Sequence, residues 1–524
     1  MKTNVPLLVL TVFGVAVAAY ALTLGHASFR ADDFDGIKLV ATPEGVTWHR
    51  ALGYFYLPAT DLPIRPDGFY RPLFSLSFAL DYAIWETNPL GYTLTNVLLH
   101  ATSAVLVTLI ALKLGGRWMA GLLAGLLFAV YPTHPFSMNY VGDRPDVLAS
   151  ALYLLSVYAY MKFRGGRRRG YLLLALGAFA LALLSKEIAV SLPVVVLIYD
   201  LYRRGSRREI SLSIVSFGAV LAGYLVLRYL NLGTFTGGYK GLPADPTSIL
   251  PTFARYLGLM LAPYNPNLLG MDYSVTYLVT LLVMIAFVLV LAFRTDLRGF
   301  TLFLAAFLVT FLPSVRLFMG WLDGFPGYGR FEQNQHVYLP SAFFCAGLAL
   351  MIGALSWRRI AWVAAVGLVI FYAGAQQVNN GPWLRASDLV HAAQRNPERL
   401  PVSGYEGAFV FLYQQKIPGE PAYMGYGLAM TEWFRGNPTS SNWRDWPRLR
   451  GTIAKLDEDS GTLKLRSGQD FEIFKLGKGL QIRLAGRPME PHQLKVGQEV
   501  LVGFVAEDGE KIVPSVEVYG ARGR

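Results

Sequence analysis

"VPLLVLTVFGVAVAAYALTL", Val5–Leu24, runs for twenty residues without a charge, and its reading decides the fold. A helix of that length spans a hydrocarbon core, and no small-x-small cleavage site directly follows it. It therefore reads as a retained membrane helix rather than a signal peptide. Comparable blocks recur along the 524 residues, of which 53% are hydrophobic and 16% charged, with a mean hydropathy of +0.38. That is too apolar for an ordinary soluble chain, and it predicts a polytopic α-helical membrane protein.

The formal charge of +12 is spent on topology rather than on nucleic acid. Its basic clusters are "KLGGR" (Lys113–Arg117), "KFRGGRRR" (Lys162–Arg169), "YRRGSRR" (Tyr202–Arg208), "FRTDLR" (Phe293–Arg298) and "SWRR" (Ser356–Arg359). Setting all five, with Lys2, on the cytoplasmic side predicts crossings near 5–24, 91–112, 118–132, 146–161, 170–185, 187–202, 210–230, 275–293, 299–315, 338–355 and 360–376. That is about eleven helices, N-terminus inside and C-terminus outside. Arginine clusters flank 171–201 on both sides, so the stretch must cross twice, with Lys186 and Glu187 at the outer turn of a tight hairpin. "PTFARYLGLMLAP" (Pro251–Pro263) would break the parity and is expected along the outer surface. The single cysteine, Cys345, lies in an apolar run, so no intramolecular disulfide forms.

This path collects the polar motifs on one membrane face. They are "DDFD" (Asp32–Asp35), "YRP" (Tyr70–Pro72), "PTHP" (Pro132–Pro135), "GDRPD" (Gly142–Asp146), "SKE" (Ser185–Glu187) and "FEQNQH" (Phe331–His336). Acids at such a depth are costly unless paired or used, and six polar segments on one face point to one site. Within the first extracytoplasmic loop, 25–88, "RPLFSLSFALDYAIWE" has helical spacing and ends near Asp81 and Glu86. It reads as an amphipathic interfacial helix.

Residues 1–376 thus form the membrane domain and 377–447 a mixed, aromatic connecting region. From Arg448 the pattern alternates: "RGTIAKL", "GTLKLR", "FEIFKL", "LQIRLA", "EVLVGFVA" and "KIVPSVEVY" predict a small all-β, barrel-like extracytoplasmic domain over 448–524. No 34-residue helical repeat occurs.

The sequence lacks a Walker loop, H-E-x-x-H, CxxC and G-x-S-x-G, which leaves ATPase, zincin, thiol-redox and α/β-hydrolase chemistry without motif support. Asp32, Asp33, Asp146 and His134 offer a weak metal set; the reading adopted has no metal and no cofactor. What remains is a carboxylate pair, Asp32 and Asp33, facing Arg71, Arg144, Lys186, His134 and His336. Cations at a membrane surface suit an anionic lipid headgroup, and a carboxylate beside them suits a general base. Together they describe group transfer from a phospholipid carrier to an extracytoplasmic acceptor, with the leaving phosphate stabilised by fixed positive charge.

At these residues the chain resembles a known family. "YRPLFSLSFALDYAIWETNPLGYTLTNVLLHA" (Tyr70–Ala101) resembles the segment after the first luminal loop of the transmembrane-and-TPR O-mannosyltransferases and their bacterial relatives. "LFAVYPTHPFSMNYVGDRPDVLAS" (Leu127–Ser150) is similar to their "HP-x-H" and "GR-x-D" block, "LLSKEIAVSLPVVVLIYDL" (Leu183–Leu201) to their "SKE" hairpin, and "VYLPS" (Val337–Ser341) to their "YLPS" helix start. These belong to the GT-C superfamily of membrane glycosyltransferases.

The resemblance implies a polyprenyl-phosphate-sugar donor, metal-independent inverting transfer and a base from the acidic first loop. By position the base is Asp32 or Asp33, with Asp32 favoured on motif order. Arg71, His134, Arg144, Lys186 and His336 become donor phosphate or sugar contacts, supported by Asp146, Glu187, Arg330 and Glu332. The family's Glu-Arg before "YLPS" is replaced by Asn334 and Gln335, which leaves Arg330, Glu332 or His336 to fill that role. Its TPR array is replaced by the β-domain.

The expected function is therefore transfer of a sugar from a polyprenyl-phosphate carrier to an extracytoplasmic acceptor, a protein Ser/Thr hydroxyl, in the inner membrane. The rival readings are a lipid-linked sugar transporter or flippase, an assembly factor, and a transferase acting on a glycolipid or glycan.

Overall fold

The computed structural model describes residues 4–29, 33–42, 45–56, 69–115, 117–166, 168–235, 257–258, 260–263, 273–294, 297–318 and 334–395, and, with short breaks, the strands between 448 and 519. They fall into two compact units, one running to His391 and one holding the strands from Arg448.

The first unit is helical. Its helices are α1 (Val5–Ala18), α2 (Ala21–Gly25), α3 (Asp33–Lys38), α4 (Trp48–Gly53), α5 (Pro72–Trp85), α6 (Pro89–Gly115), α7 (Trp118–Ala129), α8 (Pro135–Asn139), α9 (Arg144–Gly166), α10 (Arg169–Leu183), α11 (Leu192–Tyr202), α12 (Arg207–Leu232), α13 (Tyr273–Arg294), α14 (Leu297–Phe318), α15 (Tyr338–Ala354) and α16 (Arg358–Arg395). Helices cover most of each segment expected to cross, but 5–24 is divided between α1 and α2 and 187–202 begins as a 3-10 turn, Glu187–Ser191. Among the described residues, three stretches are long and apolar enough to cross by length and composition: Pro89–Gly115, Arg207–Leu232 and Arg358–Gly381, of 27, 26 and 24 residues. At 1.5 Å per residue each exceeds the roughly 30 Å hydrocarbon thickness. Val5–Ala18, Trp118–Ala129, Arg169–Leu183, Thr301–Leu312 and Tyr338–Ala354 are shorter apolar helices. The chain is an integral membrane protein.

Packing follows the short turns. α6 packs on α1, α7 and α9; α9 on α10; α11 on α12 and α14; and α15 on α7 and α14. One end of this bundle carries the basic turns between α6 and α7, α9 and α10, and α11 and α12. There Arg164 Nε lies 2.9 Å from Asp200 Oδ1 and its Nη1 3.2 Å from Glu209 Oε1. Tyr160 and Ser213 donate to Asp200 Oδ2 at 2.7 and 2.6 Å. A capping box of Ser206 and Glu209 starts α12. The opposite end carries the polar turns after α7, before α9, and between α10 and α11.

The helix expected to stop at 376 continues to Arg395. Gln376, Asn380, Trp383, Ser387 and His391 recur at helical spacing along one face. That face meets other elements through polar contacts: Asn380 receives a hydrogen bond from Asn139 Nδ2 at 2.7 Å, and its own Nδ2 donates to Thr23 Oγ1 at 3.2 Å. His391 Nε2 lies 3.0 Å from the Ala27 carbonyl. A stripe with Gln376, Asn380, Ser387 and His391 beside the single Trp383 escapes a search for hydrophobic periodicity.

The second unit holds a small sheet. Counting after β1 (Ala41–Thr42) and β2 (Gly45–Val46), a hairpin of the first unit, its strands are β3 (Arg448–Asp457), β4 (Thr462–Ser467), β5 (Asp470–Leu484), β6 (Arg487–Met489), β7 (Glu499–Glu507) and β8 (Glu510–Tyr519). Their order is β4-β3-β7-β8-β5-β6, β4 pairs with β5 as well, and only β5 with β8 is parallel. Ile453, Leu463, Leu465 and Phe474 are buried in it.

Candidate active site

Asp33 opens α3 and is fully buried. The helix approaches α5 closely: a Cβ on Gly36 would stand 2.6 Å from the Phe78 ring, so only glycine fits there. This approach aims Asp33 at the 3-10 turn Val141–Asp143, where its Oδ1 accepts the Gly142 N–H at 2.6 Å. Asp32, Arg330 and Glu332 lie outside the described residues, and nothing is described of the Asp35 side chain.

Beyond that turn come two buried carboxyls, Asp143 and Asp146, near enough to act on one another's charge. Burial and the neighbouring Asp146 push the Asp143 carboxyl well above the usual carboxylate range. Its Oδ2 has no partner among the described residues. Asp146 accepts a hydrogen bond from Lys186 Nζ, which is itself only 7% exposed. Lys186 sits in the turn between α10 and α11 and faces inward.

The next residue makes the second ion-pair group. Glu187 Oε2 accepts Arg71 Nε at 3.1 Å and Nη2 at 2.8 Å, while Oε1 accepts Arg228 Nη1 at 2.9 Å. Arg71 stands just before α5, its guanidinium 4.1 Å from the Phe69 ring centroid. Arg228 comes from the last turns of α12 and also donates to Tyr224 OH and to the Phe235 carbonyl. Burial pulls the Glu187 carboxyl up, but Arg71 and Arg228 outweigh it and hold it at about 2. His336, in the 3-10 turn Asn334–Val337, is pushed down to about 3 by burial and then by Lys186, and is neutral at pH 7.

Arg144 and His134, also read from sequence, are buried as well. Arg144 is fully buried: Nε donates to Asn96 Oδ1 at 2.7 Å, Nη2 to the Tyr92 carbonyl at 2.8 Å, and Nη1 to Asp81. The Phe78 ring stands 4.8 Å from its guanidinium carbon. Arg144 therefore ties α5, α6 and α9 together at the base of the site. His134 packs against Phe128, Tyr338 and His100, and its Nε2 lies 2.9 Å from Ser341 Oγ. Burial first, and His100 second, hold it well below its usual range.

The structure thus ties Asp33 to the 141–146 turn and that turn to Lys186, whose neighbour in the chain, Glu187, turns the other way to hold Arg71 and Arg228. Reading the motifs missed Arg228, Asp143, Asp81 and Asn96. Arg228 had a signal, being the one charge between Ile210 and Leu232. Asp143 was inside a quoted motif but was not assigned a role. Among the described residues, no three His, Cys, Asp or Glu side chains are gathered closely enough to hold a metal ion.

With this geometry in hand, comparison with known proteins is informative. Residues 66–230 match the family model described as Dolichyl-phosphate-mannose-protein mannosyltransferase. Protein O-mannosyl-transferase Tmtc2 of Drosophila melanogaster is 31% identical over 293 residues, 52% of this chain and 31% of that protein. The chain is similar to the protein O-mannosyl-transferases. Human protein O-mannosyl-transferase TMTC2 is 38% identical over 140 residues, 25% of this chain and 16% of its own. Human protein O-mannosyl-transferase TMTC4 is 25% identical over 463 residues, 73% of this chain and 61% of its own. The chain spans less than a third of the length of the Drosophila relative. Among solved structures, the archaeal oligosaccharyltransferase AglB from Archaeoglobus fulgidus aligns at 14% identity over 84% of this chain and 61% of its own. Its TM-score is 0.44, too low to carry an argument. The family match takes in Arg71, Asp81, Arg144, Asp146, Lys186, Glu187 and Arg228.

Proposed function

We propose that this chain is a GT-C-type glycosyltransferase that moves a sugar from a polyprenyl-phosphate carrier to an extracytoplasmic acceptor, a protein Ser/Thr hydroxyl. The observation that carries the reading is that Asp33, the Asp146–Lys186 pair and the Arg71–Glu187–Arg228 group meet at adjoining turns, Lys186 and Glu187 being neighbours in one of them. This sets a carboxylate and several cations at the end of the bundle away from the basic turns. By the positive-inside rule that end is extracytoplasmic, with eleven crossings and the C-terminal domain on the same side. The circuit of pairings β3–β4, β4–β5, β5–β8, β8–β7 and β7–β3 supports reading that domain as a small closed barrel. Its role is acceptor presentation.

In this reading the acceptor hydroxyl attacks the anomeric carbon from the face opposite the phosphate, which inverts its configuration. Asp33, or its neighbour Asp32, takes the hydroxyl proton as the new C–O bond forms. The bond between the anomeric carbon and the phosphate oxygen breaks, and polyprenyl phosphate leaves with the electron pair. Arg71 and Lys186 stabilise the charge it gains; a monophosphate leaving group suits fixed cations without a metal.

The test is a transfer assay on purified protein with its native lipid extract, following polyprenyl phosphate by mass spectrometry. Acceptor-dependent release that disappears in Asp33→Asn or Asp32→Asn, with the fold retained, is the expected result and names the base. No release from a competent donor and acceptor pool would refute transferase chemistry. Lipid-linked sugar crossing proteoliposomes without such release would establish the transporter instead.

A further inference from the structure

A charge inside a membrane helix is costly unless it is paired or used, and Arg228 stands alone in the otherwise uncharged run from Ile210 to Leu232. Its carboxylate partner, Glu187, already has a cation in Arg71. The two arginines use different oxygens: Arg71 takes Oε2 with two N–H groups and Arg228 takes Oε1. They are also held differently. Arg228 is anchored by the Phe235 carbonyl at 3.0 Å and Tyr224 OH at 2.9 Å, with its side chain 3% exposed. Arg71 comes from the non-helical residue before α5, and its side chain is 16% exposed.

Removing the sole partner of a buried carboxylate is strongly unfavourable. A carboxylate with two cations on separate oxygens can give up one and remain paired. We infer that Arg228 is a positioning residue, a permanent counter-ion to Glu187 that frees Arg71 to swing onto the phosphate of a polyprenyl-phosphate headgroup. The inference rests on the donor site proposed above and adds how that site exchanges partners. With Arg228 absent, Glu187 has only Arg71, and the phosphate must compete with a buried carboxylate for it. With both Arg228 and Glu187 neutralised, Arg71 is again available.

The experiment measures binding of undecaprenyl phosphate to the full chain in detergent by native mass spectrometry. Wild type is compared with Arg228→Met, Glu187→Gln and the double variant. Arg228→Met is expected to weaken binding at least about tenfold, the loss of one charge-assisted hydrogen bond. The double variant is expected to return to near wild-type affinity while both remain folded. A purely structural role for Arg228 would not be rescued by removing a second charge. Unchanged affinity in Arg228→Met, or a double variant no better than the single one, would overturn the inference. Displacement of the lipid by inorganic phosphate at equal concentration would overturn the headgroup assignment in favour of free phosphate. Binding is read without turnover, so a wild type that binds the lipid but transfers nothing would sink the proposed function and leave these arms decisive.

Discussion

Replacing Asp81 by Asn should destabilise the membrane unit sharply, because it strips the counter-charge from Arg144. The guanidinium is fully buried, and the other acceptors recorded for it are neutral: the Asn96 side-chain oxygen and the Tyr92 and Ser77 carbonyls. Breaking a buried pair by removing one member costs about 3–5 kcal/mol. Asn keeps an oxygen for Thr95 Oγ1, which donates to Asp81 Oδ1 at 2.9 Å, so the loss isolates the charge. With roughly 2 cal/mol/K of unfolding entropy per residue over a unit running to residue 391, the apparent Tm should fall by about 4–6 °C. The assay is tryptophan fluorescence on heating in detergent, with size-exclusion of heated samples as a second probe. Asp81→Leu combined with Arg144→Met should recover most of the loss, since a buried pair replaced by apolar residues is often neutral. A shift below about 1 °C in Asp81→Asn, or a double variant worse than the sum of the singles, would refute the reasoning. So would Arg144→Met with an unchanged Tm and abolished donor binding, which would make Arg144 a ligand contact rather than a tie between helices.

Three further outcomes are expected. Asp33→Asn should lower transfer by about 10²–10⁴-fold with an unchanged Tm, because the amide oxygen still accepts the Gly142 N–H while losing the base. Glu187, held at about 2 against an ordinary 4.5, adds stability that is complete above pH 4.5 and lost as pH falls towards 2. His336, depressed to about 3 from 6.5, likewise contributes stability that is present above pH 6.5 and declines as pH falls towards 3. Tm measured against pH should therefore have an acid limb in two parts, the lower one flattened by Glu187→Gln and the upper one by His336→Gln. Asn380→Ala leaves Asn139 and Thr23 without their shared partner and should cost about 1–3 kcal/mol, read as Tm.

Much of the helical unit was legible because a bilayer imposes one strong rule. Apolar runs of fixed length and basic turns between them located α1, α6, α7 and α9 to α16, while the short helices α3, α4 and α8 gave no such signal. Polar structure was less visible. The continuation of α16 to Arg395 packs through polar side chains such as Asn380, Ser387 and His391, which carry no hydropathy signal, and the turn at Lys186 and Glu187 was legible only through the arginine clusters around it. The site was half legible: "GDRPD", "SKE" and "YRP" were recognisable as polar insertions, while their internal division of labour was not.

The sequence by itself determined that this is a membrane protein, which turns are basic, and that a small β-rich domain follows the helices. It also determined which carboxylates and cations are available at the polar end, since their spacing along the chain decides which turn holds them. Only the tertiary structure decided who pairs with whom. Arg71 and Arg228, 157 positions apart, meet on one carboxylate, and Lys186 turns to Asp146 while its neighbour Glu187 turns away. Adjacent Arg144 and Asp143 likewise part, one into a tie between helices and the other towards the Asp146 carboxyl. Electrostatic pairing depends on distance and burial in space, and chain order sets neither until the helices have packed.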